Sequence, residues 1–204
     1  MAWSELGEII KAVAPVFTAG AACTGAWIGW RGLEKWRTEA LGKRQAEIGE
    51  ATLASAYEME EILRSARGPL VLAHEMDRKE GVPDEIATSA HFAPEARLLQ
   101  HQDFFGRFRS QKHAFAAVFG RDAAKPIDDL WFCRVEINRA VDDLIRNEEM
   151  SKGNANERAL WSTWHAIAFR PSNSDDDALG KRATEYVAAI EAICRPAIEA
   201  RAKV

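Results

Sequence analysis

From Ala12 to Trp30 no charged side chain interrupts the chain, and Arg31, Lys35, Arg37, Lys43 and Arg44 follow at once. As a helix this run rises roughly 28 Å at ~1.5 Å per residue, close to the ~30 Å hydrocarbon core of a bilayer. The pattern predicts a single membrane-spanning helix. Its residues are mainly Ala, Gly, Thr and Val, with Pro15 in an early turn, where lipid or neighbouring helices tolerate it. Trp3 and Trp30 bracket the run and Trp27 and Trp36 thicken the belt at one end, as indoles do at headgroup level. Ser4 suits an N-cap, and Lys11 is near enough to the end to snorkel.

A buried helix of a soluble bundle is the competing reading of the same run. A cleaved signal peptide conflicts with Glu5 and Glu8 and with the lack of Lys or Arg in the first eight residues. Lipidation at Cys23 meets the same objection, and Gly20 stands where an aliphatic residue is wanted. The five basic residues after the run, against Lys11 alone at its other end, predict a cytoplasmic C-terminal part and an external N-terminus. Cys23, Cys133 and Cys194 are odd in number and far apart, which suits a reducing compartment.

Helical periodicity continues through the rest of the chain, with no alternating Val/Ile/Thr-rich run long enough to nucleate a sheet. Leu33 to Arg67 reads as a long helix stopped by Gly68-Pro69, and Gly32, Gly42 and Gly49 weaken it by about 1 kcal/mol each relative to Ala. Leu70 to Phe92 reads as a turn-rich connector. Pro94 opens a helix reaching Phe119, with Leu98, Phe105, Phe108, Phe115 and Phe119 on one face. Pro126 opens another, to about Asn147, whose stripe is Ile127, Leu130, Trp131, Val141, Leu144 and Ile145. After a polar loop to Asn156, a shorter helix carries Leu160, Trp161, Trp164, Ile167 and Phe169 and ends at Arg170-Pro171. Ser172 to Asp177 leads into the last helix, with Leu179, Tyr186, Val187, Ile190, Ile193 and Ile198; Pro196 is expected to kink or divide it. The expected architecture is all-α: an N-terminal transmembrane segment (1–30), a basic juxtamembrane segment and long helix (31–69), and the remainder (70–204) of a cytoplasmic bundle of about five helices.

Charge narrows the partners. The chain has 27 Lys and Arg against 31 Asp and Glu, a net charge of −4, so no overall basic field calls for nucleic acid. The basic excess between Arg31 and Arg44 reads as a stop-transfer and anionic-lipid contact. Asp142 and Asp143 with Glu136 and Arg139 read as a solvated helix face.

Catalytic and metal signatures do not emerge. His74-Glu75 is followed by Arg78 where a zinc-protease motif needs its second His, and no Glu-x-x-His occurs. His74, His91, His101, His113 and His165 lack metal spacing, and His101 reads as a core or boundary residue. Asp175-Asp176-Asp177 lacks the spaced ligands of a calcium loop. Leu41 to Glu47 echoes Leu179 to Glu185, but no sustained repeat follows, and neither Gly-Lys has the leading Gly of a phosphate loop. No cofactor and no metal is expected, and no catalytic residue can be named.

The run Gly42-Lys43-Arg44-x-x-Glu47, then Leu53, Tyr57, Ile62 and Arg67-Gly68-Pro69, resembles a pattern in uncharacterised bacterial proteins that pair an N-terminal membrane helix with a cytoplasmic helical region. Phe119-Gly120 and Glu191-x-x-Cys194-Arg195-Pro196 are similar too. The resemblance implies that architecture and a bacterial source, without an activity or site residues. The chain is accordingly expected to be a single-pass inner-membrane protein whose bundle serves interaction or assembly. An enzyme or ligand sensor with an unrecognised pocket, and a membrane-acting toxin or phage-related factor, are the alternatives. Trp3, Trp27, Trp30, Arg31, Lys35 and Arg37 are the expected bilayer-interface residues. Expected partners are the lipid bilayer and either a second copy, by coiled-coil or close helix packing, or another membrane protein.

Ala21, Gly25 and Gly29 recur every four residues, a small-residue groove through which two helices in lipid can approach closely. Gly25→Ile with Gly29→Ile is expected to abolish crosslinking between copies in native membranes at matched expression while keeping insertion. Unchanged crosslinking excludes this face as the interface.

Overall fold

The computed structural model describes residues 2–72, 75 and 90–202, and the side chains of all of these except 2–23, 174 and 202. Within them the chain is all-helical with no strand. Six α-helices follow one another: α1 (Ala2–Ala66), α2 (Ala93–Leu99), α3 (Gln102–Phe119), α4 (Lys125–Arg146), α5 (Ala155–Ala168) and α6 (Ala178–Ala202). Short 3-10 turns precede α2, α4 and α6 and follow α4. Two compact units divide the chain, residues 1–44 and residues 45–204.

In the first unit the helix passes through Gly25, Gly29, Gly32 and Gly42, and a Cβ at any of these would meet nothing within 4 Å. No helix among the described residues is long and apolar enough to cross a membrane. The membrane span expected over residues 12–30 is therefore unsupported here: its backbone is helical, but the side chains of 12–23 lie outside the described residues.

The second unit is a bundle around α4, which packs against α2, α5 and α6. The last turns of α1 run antiparallel to α6. A Cβ placed on Gly49 would lie 3.5 Å from the Cβ of Cys194, Glu60 accepts from the Thr184 hydroxyl at 2.6 Å, and Arg67 meets Asp177 at 2.8 Å. The main core joins Met59, Leu63, Leu98, Phe105, Phe108, Phe115, Ile127, Leu130, Ile137 and Ile190 with smaller side chains. A second, smaller cluster holds Val141, Leu144 and Phe169.

Several sequence expectations are corrected. The helix expected from Pro94 to Phe119 is two, α2 and α3, because the His101 N–H bonds back three residues to the Leu98 carbonyl and breaks the four-residue ladder. His101 itself is exposed at the start of α3, not at the core boundary. Leu160 is exposed at 44 % instead of lying in the core stripe of α5. Glu136 is not simply solvated: Arg182 of α6 donates to both its oxygens. Pro196 does not divide α6, which runs on to Ala202. The polar loop after α4 closes with Asn154 accepting from the N–H groups of Asn156 and Glu157, while Glu157 accepts from the Asn154 N–H, a full capping box.

Phe108 is 1 % exposed and stacks with Phe104 at 5.9 Å, and Phe105 meets Trp131 edge-on at 6.0 Å. Phe108→Ala is expected to cost about 3–5 kcal/mol by thermal or chemical unfolding of the full chain. A loss no larger than that of the exposed control Glu149→Ala overturns this assignment of the core face.

Candidate functional site

The interface residues expected from the sequence fall in the first unit. Trp27, Trp30, Arg31, Lys35 and Arg37 are all exposed, whereas the side chains of Trp3 and Ala21 lie outside the described residues. The Arg31 guanidinium sits 4.5 Å over the Trp27 ring, one helical turn away, and Lys35 pairs with Glu39 at 3.6 Å. Among the described residues nothing lies within 4 Å of a Cβ placed on Gly25 or Gly29. From residue 24 to 41 every side chain is exposed, apolar and basic alike.

The second unit gathers two guanidiniums at the C-terminal end of α1, that of Arg67 buried and that of Arg97 partly so. Arg67, 1 % exposed, donates through Nε to the Ile167 carbonyl at 2.7 Å and through Nη2 to the Ala166 carbonyl at 2.8 Å, and also pairs with Asp177. Its own carbonyl accepts the Arg170 N–H at 2.7 Å. Asp177 in turn caps α6 by accepting from the Gly180 N–H at 2.9 Å. Burial acting alone would raise the Asp177 carboxyl. The Arg67 hydrogen bond, the Gly180 N–H and the charges of Arg67 and Arg170 outweigh it and hold the group below its usual range. Arg97 of α2 grips Glu75 through Nε and Nη2 at 2.6 and 2.7 Å, and it donates to the carbonyls of Ala66, Gly68 and Leu70. Those carbonyls are the acceptors that a helix end leaves free.

Beside Arg67 opens a groove of about 930 Å³ between the end of α1 and the start of α6. Most of its cations are already engaged. Arg64 pairs with Glu60 and Glu61, Lys181 donates to the Asp175 carbonyl, and Arg67 pairs with Asp177, while the exposed Arg170 makes no ion pair among the described residues. The groove therefore offers shape and one unpaired guanidinium.

A second cleft, about 470 Å³, lies between the Ala90–Phe92 turn and α5. It brings together two histidines that the sequence scatters: the His91 and His165 rings meet edge-on at 6.4 Å. His165 stacks on Trp161 at 5.2 Å and on Phe169 at 4.9 Å. Burial lowers His91 below its ordinary value, with Glu148 partly opposing; burial and the nearby His91 lower His165. Ser162, Arg170 and Ser172 complete the polar lining. Two imidazoles kept neutral can accept a proton or a hydrogen bond, but among the described residues no group of three or more His, Cys, Asp or Glu is placed to hold a metal. His74 lies outside the described residues. Cys133 and Cys194 are buried free thiols pushed up to about 11, chiefly by burial, which makes them poor nucleophiles.

Compared with protein-family models, curated proteins and solved structures, the chain matches none. Its chemistry must be argued from its own residues.

The shifted groups give a pH dependence with a definite sign. Both histidines bind protons more readily unfolded than folded, so the stability they contribute is present above about pH 6.5 and is lost as pH falls through their depressed folded values. Asp177 follows the same direction in a lower window, beneath its ordinary value near 3.8. Denaturant unfolding over a pH series is expected to show the upper of these losses, and His91→Gln with His165→Gln to flatten it. An unchanged slope in the double variant means the two rings do not titrate with folding.

Proposed function

We propose that this chain is a membrane-anchored helical interaction or assembly module, tethered through α1 to a bacterial inner membrane with its second unit in the cytoplasm. One observation carries the reading. Trp27, Ile28, Trp30, Leu33, Trp36 and Leu41 are each more than half exposed and crowd into fifteen residues that also hold Arg31, Lys35 and Arg37. Exposed apolar area costs roughly 25 cal/mol per Å², so a cluster of this kind calls for a covering environment. Trp36 lies about half a turn round from Trp27 at ~100° per residue, with Ile28 and Leu33 at other azimuths. A protein groove covers one face of a helix; a bilayer surrounds it. Indoles and basic side chains at one level are the composition that the headgroup region accepts, each Lys or Arg near an anionic surface contributing about 1 kcal/mol. The uncharged run 12–30 supports a span leading outward from this level, and the basic excess on its inner side supports a cytoplasmic C-terminus.

Held at the inner leaflet, the second unit would meet membrane-bound partners at a raised effective concentration. A second copy packing along Gly25 and Gly29, or another membrane protein, is the expected partner. The alternative, a ligand sensor or enzyme, draws on the His91–His165 cleft, where shifted imidazoles converge with Ser162 and Arg170.

A reporter active only in the cytoplasm is expected to work after Val204, and one active only outside to work before Met1. Release of the full chain from membranes by alkaline carbonate alone overturns the membrane reading.

A further inference from the structure

Between α3 and α4 the second unit has an open pocket of about 440 Å³ whose charge is of one sign. Arg134 of α4 lies with its guanidinium carbon 4.1 Å over the Phe105 ring and 5.0 Å from the Trp131 ring. Arg109 of α3 approaches the same indole at 5.6 Å. Neither makes an ion pair among the described residues, in contrast to Arg64, Arg67, Arg97, Arg182, Arg195 and Arg201, which all do. The Nε of Arg134 is buried without a hydrogen-bond partner. Burial pulls this guanidinium below its ordinary value. In the adjoining depression Asp128 is already held by Lys112 at 2.6 Å. Two cations without an ion-pair partner among the described residues therefore share one aromatic floor, Arg109 exposed and Arg134 half-buried, and it is the desolvated, unpartnered Nε of Arg134 that an entering anion would relieve.

We propose that this pocket binds a phosphate monoester. A carboxylate has two oxygens and is satisfied by one guanidinium fork; a phosphate has three free oxygens and can take donors from two helices at once. Arg109 and Arg134 supply the charge-assisted bonds, and the Gln102 amide lines the rim as a further donor, whereas the Ser110 hydroxyl already donates to the Gly106 carbonyl at 3.0 Å. Trp131 and Phe105 fix the plane of the Arg134 guanidinium by stacking, so little side-chain freedom remains to be lost on binding. The site lies wholly within the second unit and does not depend on the membrane reading.

The test uses the full chain in detergent micelles at low salt, with phenyl phosphate, inorganic phosphate and benzoate as probes. Wild type is expected to show a saturable fluorescence change with phenyl phosphate, absent in Trp131→Phe, and a raised melting temperature. Arg109→Gln is expected to weaken binding about tenfold or more, since a hydrogen bond to a charged group is lost, whereas Arg121→Gln leaves it unchanged. Arg134→Gln is expected to do the same if it folds; Arg109, exposed on α3, keeps the test valid if it does not. Inorganic phosphate competing with phenyl phosphate supports the assignment. No saturable response at millimolar probe, equal binding by Arg109→Gln, or benzoate binding as tightly as phenyl phosphate overturns it.

Discussion

The buried Arg67 guanidinium is the constraint on which the second unit depends. A charge removed from water is tolerated only where partners replace its hydration, and Arg67 obtains them from two segments about a hundred residues on: the Ala166 and Ile167 carbonyls at the end of α5, and Asp177 at the start of α6. Each partner has a second duty. Asp177 caps α6, and the two carbonyls belong to a helix end that would otherwise leave them without donors. The ends of α1 and α5 and the beginning of α6 are thereby fixed to one another at a single point. Arg97 repeats the device one layer away, collecting the last carbonyls of α1 and the residues beyond it.

From that arrangement follows a contrast among the depressions of this unit. The groove beside Arg67 is large, but apart from Arg170 its cations are engaged within the chain. In the His91–His165 cleft burial lowers both imidazoles and keeps them neutral. The Arg109–Arg134 pocket alone of the three gathers two guanidiniums without a carboxylate partner. Size does not separate them; the state of their charges does, because an engaged guanidinium has little left to give a ligand and an unengaged one on an aromatic floor has much.

Periodicity made the helices legible. Pro126 placed α4 within a residue of its start, and Gly120 marked the end of α3, because ring closure at Pro and positive φ at Gly act locally. The apolar stripe of α4 was likewise readable, since burial repeats with the helical period. Where neighbours decide, the pattern misled: Leu160 has the spacing of a core residue but no packing partner to bury it, and the break at Gln100-His101 carries no Gly or Pro to announce it. Phe104, next to Phe105, falls outside the stripe that helical spacing marks, yet both are buried.

The site chemistry was the least legible. By itself the sequence determined an all-helical chain, an uncharged N-terminal run with a basic border, and the absence of recognisable catalytic spacing, since composition and period are local properties of the chain. Only the tertiary structure decided that Arg67 is the most enclosed cation among the described residues, that His91 meets His165 across more than seventy residues, and that Arg109 and Arg134 share one indole. A charged residue near a helix end looks the same in sequence whether water or a distant carboxylate will solvate it. Desolvation depends on what other segments bring, and that is set by packing.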